Sequence, residues 1–84
     1  MDRDEIQTNI INFIETSFEM SDVGVDDDLN ADHGFDSIDA IELLREIETL
    51  MEGKLTRDEE EAAMSIRTVR QIVDFIEKAM AERA

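Results

Sequence analysis

Gly34-Phe35-Asp36-Ser37-Ile38-Asp39-Ala40-Ile41-Glu42-Leu43-Leu44 reads as a turn glycine, an aromatic anchor, and the opening turns of a helix with one hydroxyl at its mouth. Asp36 and Ser37 are favoured residue types at a helix start, and Asp36 and Asp39 put negative charge on the positive end of the helix dipole. A serine held there is also placed to carry a phosphate group, because the free N–H groups of a first turn favour anions. The bland alternative is a serine that merely caps its helix, and this stretch alone does not decide between the two.

The helix that starts at Ser37 is expected to run to about Glu52. At ~3.6 residues per turn, Ala40, Leu43, Leu44, Ile47 and Met51 fall on one side, and Ile38, Ile41 and Arg45 on roughly the other. Only one stripe can face a core. The other leaves Ile38 and Ile41 in water, ringed by Asp36, Asp39, Glu42 and Glu46, which is how a partner-binding surface looks. Two exposed isoleucines without a role are the competing interpretation.

Upstream, Ile6, Ile10, Phe13 and Ile14, widened by Ile11 and Phe18, make an amphipathic first helix from near Asp2 to near Phe18. Gly24 lies in the break that follows. A long loop from about Ser21 to Asp36 carries Asp26, Asp27, Asp28, Asn30 and Asp32, with Val23, Val25, Leu29 and Phe35 as its inward anchors. A loop of that length in a small domain is usually functional, and we take it as the arm that positions Ser37.

Downstream, Gly53 is a natural helix cap and Leu55 an anchor for the next link. Thr56-Arg57-Asp58-Glu59 has the form of a capping box, predicting a short helix from Arg57 to near Met64. Ile66 anchors a brief link. Thr68-Val69-Arg70-Gln71 is a second capping box, opening a last helix whose inner stripe is Val69, Ile72, Val73, Ile76 and Met80. The expected fold is all-α: a four-helix bundle of three longer helices and one short one, forming a single domain over residues 1–84.

Composition narrows the function. The 84 residues hold 8 Lys+Arg against 23 Asp+Glu, a formal net charge of -15. That excludes nucleic acid and anionic membranes as natural partners, since both need clustered cations, and favours partners with basic patches. Disorder is the other reading of so acidic a chain, but 42% of the residues are hydrophobic and they recur at helical spacing. There is no cysteine, so any thiol chemistry needs a sulfur from outside the chain. Met1-Asp2-Arg3-Asp4-Glu5 lacks the basic and apolar regions of a signal peptide, and no apolar run approaches the ~20 residues of a membrane span. A cytoplasmic monomer without stable membrane insertion is the expectation.

The stretch from Gly34 to Leu44 resembles the attachment motif of acyl carrier proteins, in which an Asp-Ser-Leu triplet after a glycine opens the second helix; here the triplet is Asp36-Ser37-Ile38. The resemblance covers nearly the whole chain. It takes in the first helix, the long acidic loop, Leu55, and the Ile66-Arg67-Thr68-Val69 entry to the last helix. It implies 4'-phosphopantetheine, from coenzyme A, on Ser37, and a carrier that is not itself an enzyme. It also implies loading by a phosphopantetheinyl transferase, and service to acyl-transferring and chain-modifying enzymes of fatty acid, lipid or polyketide-type synthesis. The recognition positions it implies are Asp36, Ile38, Asp39, Ile41, Glu42 and Glu48, and the acyl pocket Leu43, Ile47, Leu55, Met64 and Ile66.

Three departures stand out. His33 precedes Gly34 where the family has an apolar residue, and Arg45 replaces an apolar contact residue on the outer face of the helix. The segment from Leu55 to Ile66 is also longer than in common members. Together these hint at a specialised carrier. No nucleophile–base pair is present, since His33 has no cysteine partner. An aminoacyl or peptidyl carrier stays open within the same class. Outside it stand an acidic interaction domain without a prosthetic group and a calcium-binding loop. Asp28, Asn30 and Asp32 match positions 1, 3 and 5 of an EF-hand, but His33 stands where glycine is needed and Asp39 where glutamate is. No metal site is expected.

Overall fold

The computed structural model describes residues 2–83; Met1 and Ala84, the ends of the expected domain, lie outside the described residues. Five helices follow one another: α1 (Arg3–Ser17), α2 (Leu29–His33), α3 (Ser37–Met51), α4 (Arg57–Ala63) and α5 (Val69–Arg83). Three have 15 residues and α4 has 7, which is the expected set of three longer helices and one short one. No strand occurs among the described residues, and no helix there is long and apolar enough to cross a membrane.

Each start is set by a side chain named in the sequence. Asp2 caps α1 by accepting the Glu5 N–H at 2.9 Å. Thr56 and Glu59 form the expected reciprocal box on α4, and Thr68 and Gln71 form the one on α5, each bond of the latter being 3.1 Å.

The core is an aliphatic column between α1 and α5. Ile10, Ile14, Val69, Ile72, Val73 and Ile76 are completely shielded from water, with Ile6 beside them. Val23, Leu29, Leu43, Ile47 and Leu55 close the column from the loops and α3. Burying such side chains contributes about 1.5–3 kcal/mol apiece relative to exposure, so this column supplies most of the driving force for folding. Arg3 bridges α1 to Asp74 (2.8 Å) and Glu77 of α5 across its rim.

The acidic loop departs from expectation. It is not wholly irregular, because residues 29–33 close into α2. Asp28 caps that helix by accepting the Ala31 N–H (2.8 Å), and Gly34, at φ +71°, ends it in the left-handed conformation that suits glycine. One turn buries a single residue, Leu29, too weak a pattern to announce a helix by periodicity. The three residues that mimic a calcium loop are spent on backbone: Asp28 on Ala31, Asp32 on the Asp28 N–H (3.0 Å), and Asn30 on the Phe35 carbonyl (2.7 Å). Among the described residues no group of His, Asp or Glu could hold a metal ion.

The α3 exit also differs. Gly53 is not the left-handed cap; Glu52 is, at φ 55°. The Glu52 N–H reaches the Thr49 carbonyl (3.3 Å) and the Gly53 N–H the Glu48 carbonyl (3.1 Å), a Schellman pairing that puts the left-handed position one residue before the glycine.

Candidate functional site

Ser37 is the first residue of α3, and its position is fastened from three sides. Phe35, two residues before it, donates its N–H to the Leu29 carbonyl (2.9 Å) while its own carbonyl is held by Asn30. The Phe35 ring meets Phe18 edge-on at 5.5 Å, and Phe18 meets Phe13 at 5.7 Å, tying the start of α3 to the end of α1. The loop itself is laced to the start of α5. Leu29 N–H donates to the Arg67 carbonyl (2.8 Å), Arg70 N–H to the Val25 carbonyl (2.9 Å), and the Arg70 guanidinium forks onto Asp26 at 2.6 and 2.9 Å. That fork holds the Asp26 carboxyl below its usual range.

Capping of α3 falls to Asp36, not Ser37. One Asp36 oxygen accepts the N–H groups of Ile38 (3.0 Å) and Asp39 (2.9 Å), and Asp39 returns the favour to the Asp36 N–H (3.1 Å). The Ser37 hydroxyl is exposed and has no hydrogen-bond partner among the described residues. The helix mouth thus presents an uncommitted nucleophilic oxygen on a rigid base.

From Ser37 a cleft of about 300 Å³ runs inward. Its α3 wall is Ser37, Ala40, Leu43, Leu44 and Ile47; Leu29 and Phe35 form one flank, and Ala63, Met64, Ile66 and Arg67 the other. Four of the five residues expected around a pocket are therefore brought together: Leu43, Ile47, Met64 and Ile66. Leu55 is not with them. It is buried at the link between α3 and α4, where its N–H donates to the Glu48 carboxylate at 2.9 Å. Sequence reasoning placed Leu29 and Phe35 inward without seeing that they line this cleft, and gave no role to Arg67; only the fold reveals that the loop and the α4–α5 link face each other here.

Of the expected recognition positions, Ile38 (66% exposed) and Ile41 (51%) do stand in water, with Asp36 and Glu42 exposed around them. Asp39 is half-buried in its capping box. Glu48 is turned away from that surface, because its carboxylate is spent on the Leu55 N–H and lies 3.8 Å from Lys54. Arg45 is exposed, and no carboxylate lies within ion-pair distance of it among the described residues. His33, which stands where the family has an apolar residue, ends α2 with its side chain 15% exposed and Nε2 3.0 Å from Asp27. That contact, with the Gly24 N–H at 2.8 Å, holds the Asp27 carboxyl below its ordinary range. A Cβ at Gly24 would sit 2.9 Å from an Asp27 oxygen, so a larger residue there would have to displace that carboxylate.

Comparison with known proteins bears on this geometry. Residues 10–76 match the family described as phosphopantetheine attachment site. The chain is 30% identical to acyl carrier protein 2 of Pseudomonas aeruginosa over 79 residues, covering 92% of this chain and 96% of that one. It is 31% identical to the acyl carrier protein of Amoebophilus asiaticus over 81 residues, covering 94% and 98%. No solved structure matches significantly. Proteins of this kind bear 4'-phosphopantetheine covalently, work with a phosphopantetheinyl transferase and with synthetic enzymes, and are carriers, not catalysts. Matched along nearly its whole length by both relatives, and by the attachment-site model over most of it, this chain belongs to the acyl carrier protein family.

Proposed function

We propose that Ser37 bears the phosphopantetheine arm, and that the chain carries acyl groups between enzymes of fatty acid, lipid or polyketide-type synthesis. The observation that carries this is the free, exposed hydroxyl of Ser37 at the lip of an apolar cleft, its capping duty taken over by Asp36. The residues present fit the group: a hydroxyl open to water for attachment, and a lined channel into which an apolar chain can fold back. In loading, the Ser37 oxygen forms a bond to the phosphorus of coenzyme A, the pyrophosphate linkage breaks, 3',5'-ADP departs, and the hydroxyl proton passes to the transferase. When bound, the arm supplies the thiol that this cysteine-free chain lacks.

Cargo enclosed by Leu43, Ile47, Met64 and Ile66 gains ~0.8 kcal/mol for each methylene removed from water. The aliphatic walls of the cleft favour an acyl cargo over an aminoacyl one. Asp36, Ile38, Asp39, Ile41 and Glu42 form the docking surface, an apolar pair in an acidic rim suited to basic patches on partners, which it would steer into encounter and release readily.

The test is intact mass after incubation with coenzyme A and a transferase, with peptide mapping. Addition of one arm at Ser37, abolished in Ser37→Ala, is expected. Unaltered mass, or equal modification of Ser37→Ala, overturns the reading. The mass of cargo on protein purified from its own cell then separates acyl from aminoacyl.

A further inference from the structure

The chain has far more carboxylates than cations, and most of its cations are answered. Arg3, Lys54, Arg57, Arg70 and Arg83 each have a carboxylate oxygen within 4 Å. Arg67 has none among the described residues. Its Nη1 donates to the carbonyls of Met64 (3.2 Å) and Ile66 (3.0 Å), and its Nε and Nη2 have no acceptor there. Its backbone is fixed as well: the N–H donates to Gln71 at 2.6 Å and the carbonyl accepts from Leu29 at 2.8 Å. Among the described residues Arg45 and Lys78 also lack a carboxylate, and of these three cations only Arg67 lines the cleft that starts at Ser37.

A guanidinium pinned at one nitrogen loses little further freedom when its other N–H groups meet an oxyanion, and the fork suits phosphate or carboxylate. Arg67 is exposed, so an oxyanion meets it at the rim of the cleft, which Asp36 also lines and where water still screens the pair. We propose that Arg67 is an oxyanion site at the mouth of the cleft, filled by an anion delivered from Ser37. That anion is either the phosphodiester at the root of the arm or a carboxylate at the far end of the cargo. The second source would make this a carrier suited to dicarboxylic acyl groups. The inference rests on attachment at Ser37.

The experiment uses full-length protein loaded by a transferase from coenzyme A, butyryl-coenzyme A, or succinyl-coenzyme A labelled with ¹³C at the free carboxylate. Wild type, Arg67→Gln and Arg67→Lys are compared, with circular dichroism confirming that each is folded. The ³¹P resonance of the loaded protein reports the first source. It is expected to move in Arg67→Gln, and less in Arg67→Lys, if the phosphodiester is held. The ¹³C titration reports the second: the succinyl carboxylate should titrate about one pH unit lower in wild type than in Arg67→Gln if it is held. Either change supports the site and identifies its source. A fully loaded protein in which neither signal responds to Arg67→Gln overturns the inference and leaves the Ser37 reading intact. Failure to load at Ser37 overturns both.

Discussion

Glu59→Gln isolates the ion pair that ties α4 to α5. Glu59 receives the Arg83 guanidinium, with one contact at 2.7 Å, and also accepts the Thr56 N–H at 2.8 Å. Arg83 further donates to the carbonyls of Lys54 and Ala79, both at 2.8 Å, so the cluster ties the end of α5 to the link before α4. The Arg83 side chain, followed by the Thr56 N–H, pulls the Glu59 carboxyl from an ordinary 4.5 to about 2. At about 1.4 kcal/mol per pH unit, that displacement sets a ceiling of about 3.5 kcal/mol. The side chain is only 13% exposed, yet it sits at the rim where water still screens it, so about 1–2 kcal/mol is the net expectation. Glutamine keeps an acceptor for the Thr56 N–H and removes the charge alone. Because the folded pKa lies below the unfolded one, this stability is present above about pH 4.5 and is lost as pH falls toward about 2. Acid also relieves the general repulsion of a chain at -15, so the observable is the difference between wild type and variant, in which that background cancels. Urea unfolding by circular dichroism gives the difference, and hydrogen exchange at α4 amides locates it. A difference below about 0.3 kcal/mol at neutral pH, or one that does not shrink in acid, refutes the reasoning.

Gly34→Ala should cost about 1 kcal/mol, because the left-handed φ of +71° strains any Cβ although the space around it is open; denaturation curves matching wild type would count against that account. Glu52→Gly should stabilise by about 0.5–1 kcal/mol, since it puts glycine at the left-handed position of the α3 cap, and a lowered melting temperature would contradict it. Glu42→Lys should slow arm loading several-fold at low salt and much less at high salt, with Arg45→Glu moving the rate the other way; equal rates for all three proteins at low salt would defeat the docking surface.

What the sequence exposed and what it hid follow from how each feature is encoded. Capping is local, and a side chain three residues from its target declares itself in the string: Asp2, Thr56 and Thr68 all start helices as expected. The inner stripes of α1 and α5 were legible because fifteen residues repeat the pattern several times. The single turn of α2 repeats nothing, and its only marks are Asp28 at one end and Gly34 at the other, which also suit a plain loop. Side-chain direction was hidden too. Glu48 lies on an acidic helix and reads as surface charge until the returning chain brings the Leu55 N–H to it. Arg67 and Leu29 are far apart in sequence, and only the lacing of the acidic loop onto the start of α5 puts both on one cleft.

That cleft lies between halves of unequal stiffness. On one side, α1 and α5 share side chains with no exposure at all, and separating them would return several isoleucines to water. On the other, α4 buries no residue of its own; Glu59, Arg83 and the Thr56 cap hold it by polar contacts that water can replace. Swinging α4 outward therefore costs a few surface interactions and little apolar burial, while the column behind α3 stays shut. Leu55, buried just before α4 with its N–H donated to Glu48, anchors the near end of that wall. Met64, 55% exposed at the C-terminal end of α4, leaves apolar surface open to water on the cleft wall. A carrier must hide its cargo and surrender it on contact, and a wall fastened at its edges rather than through its core permits both.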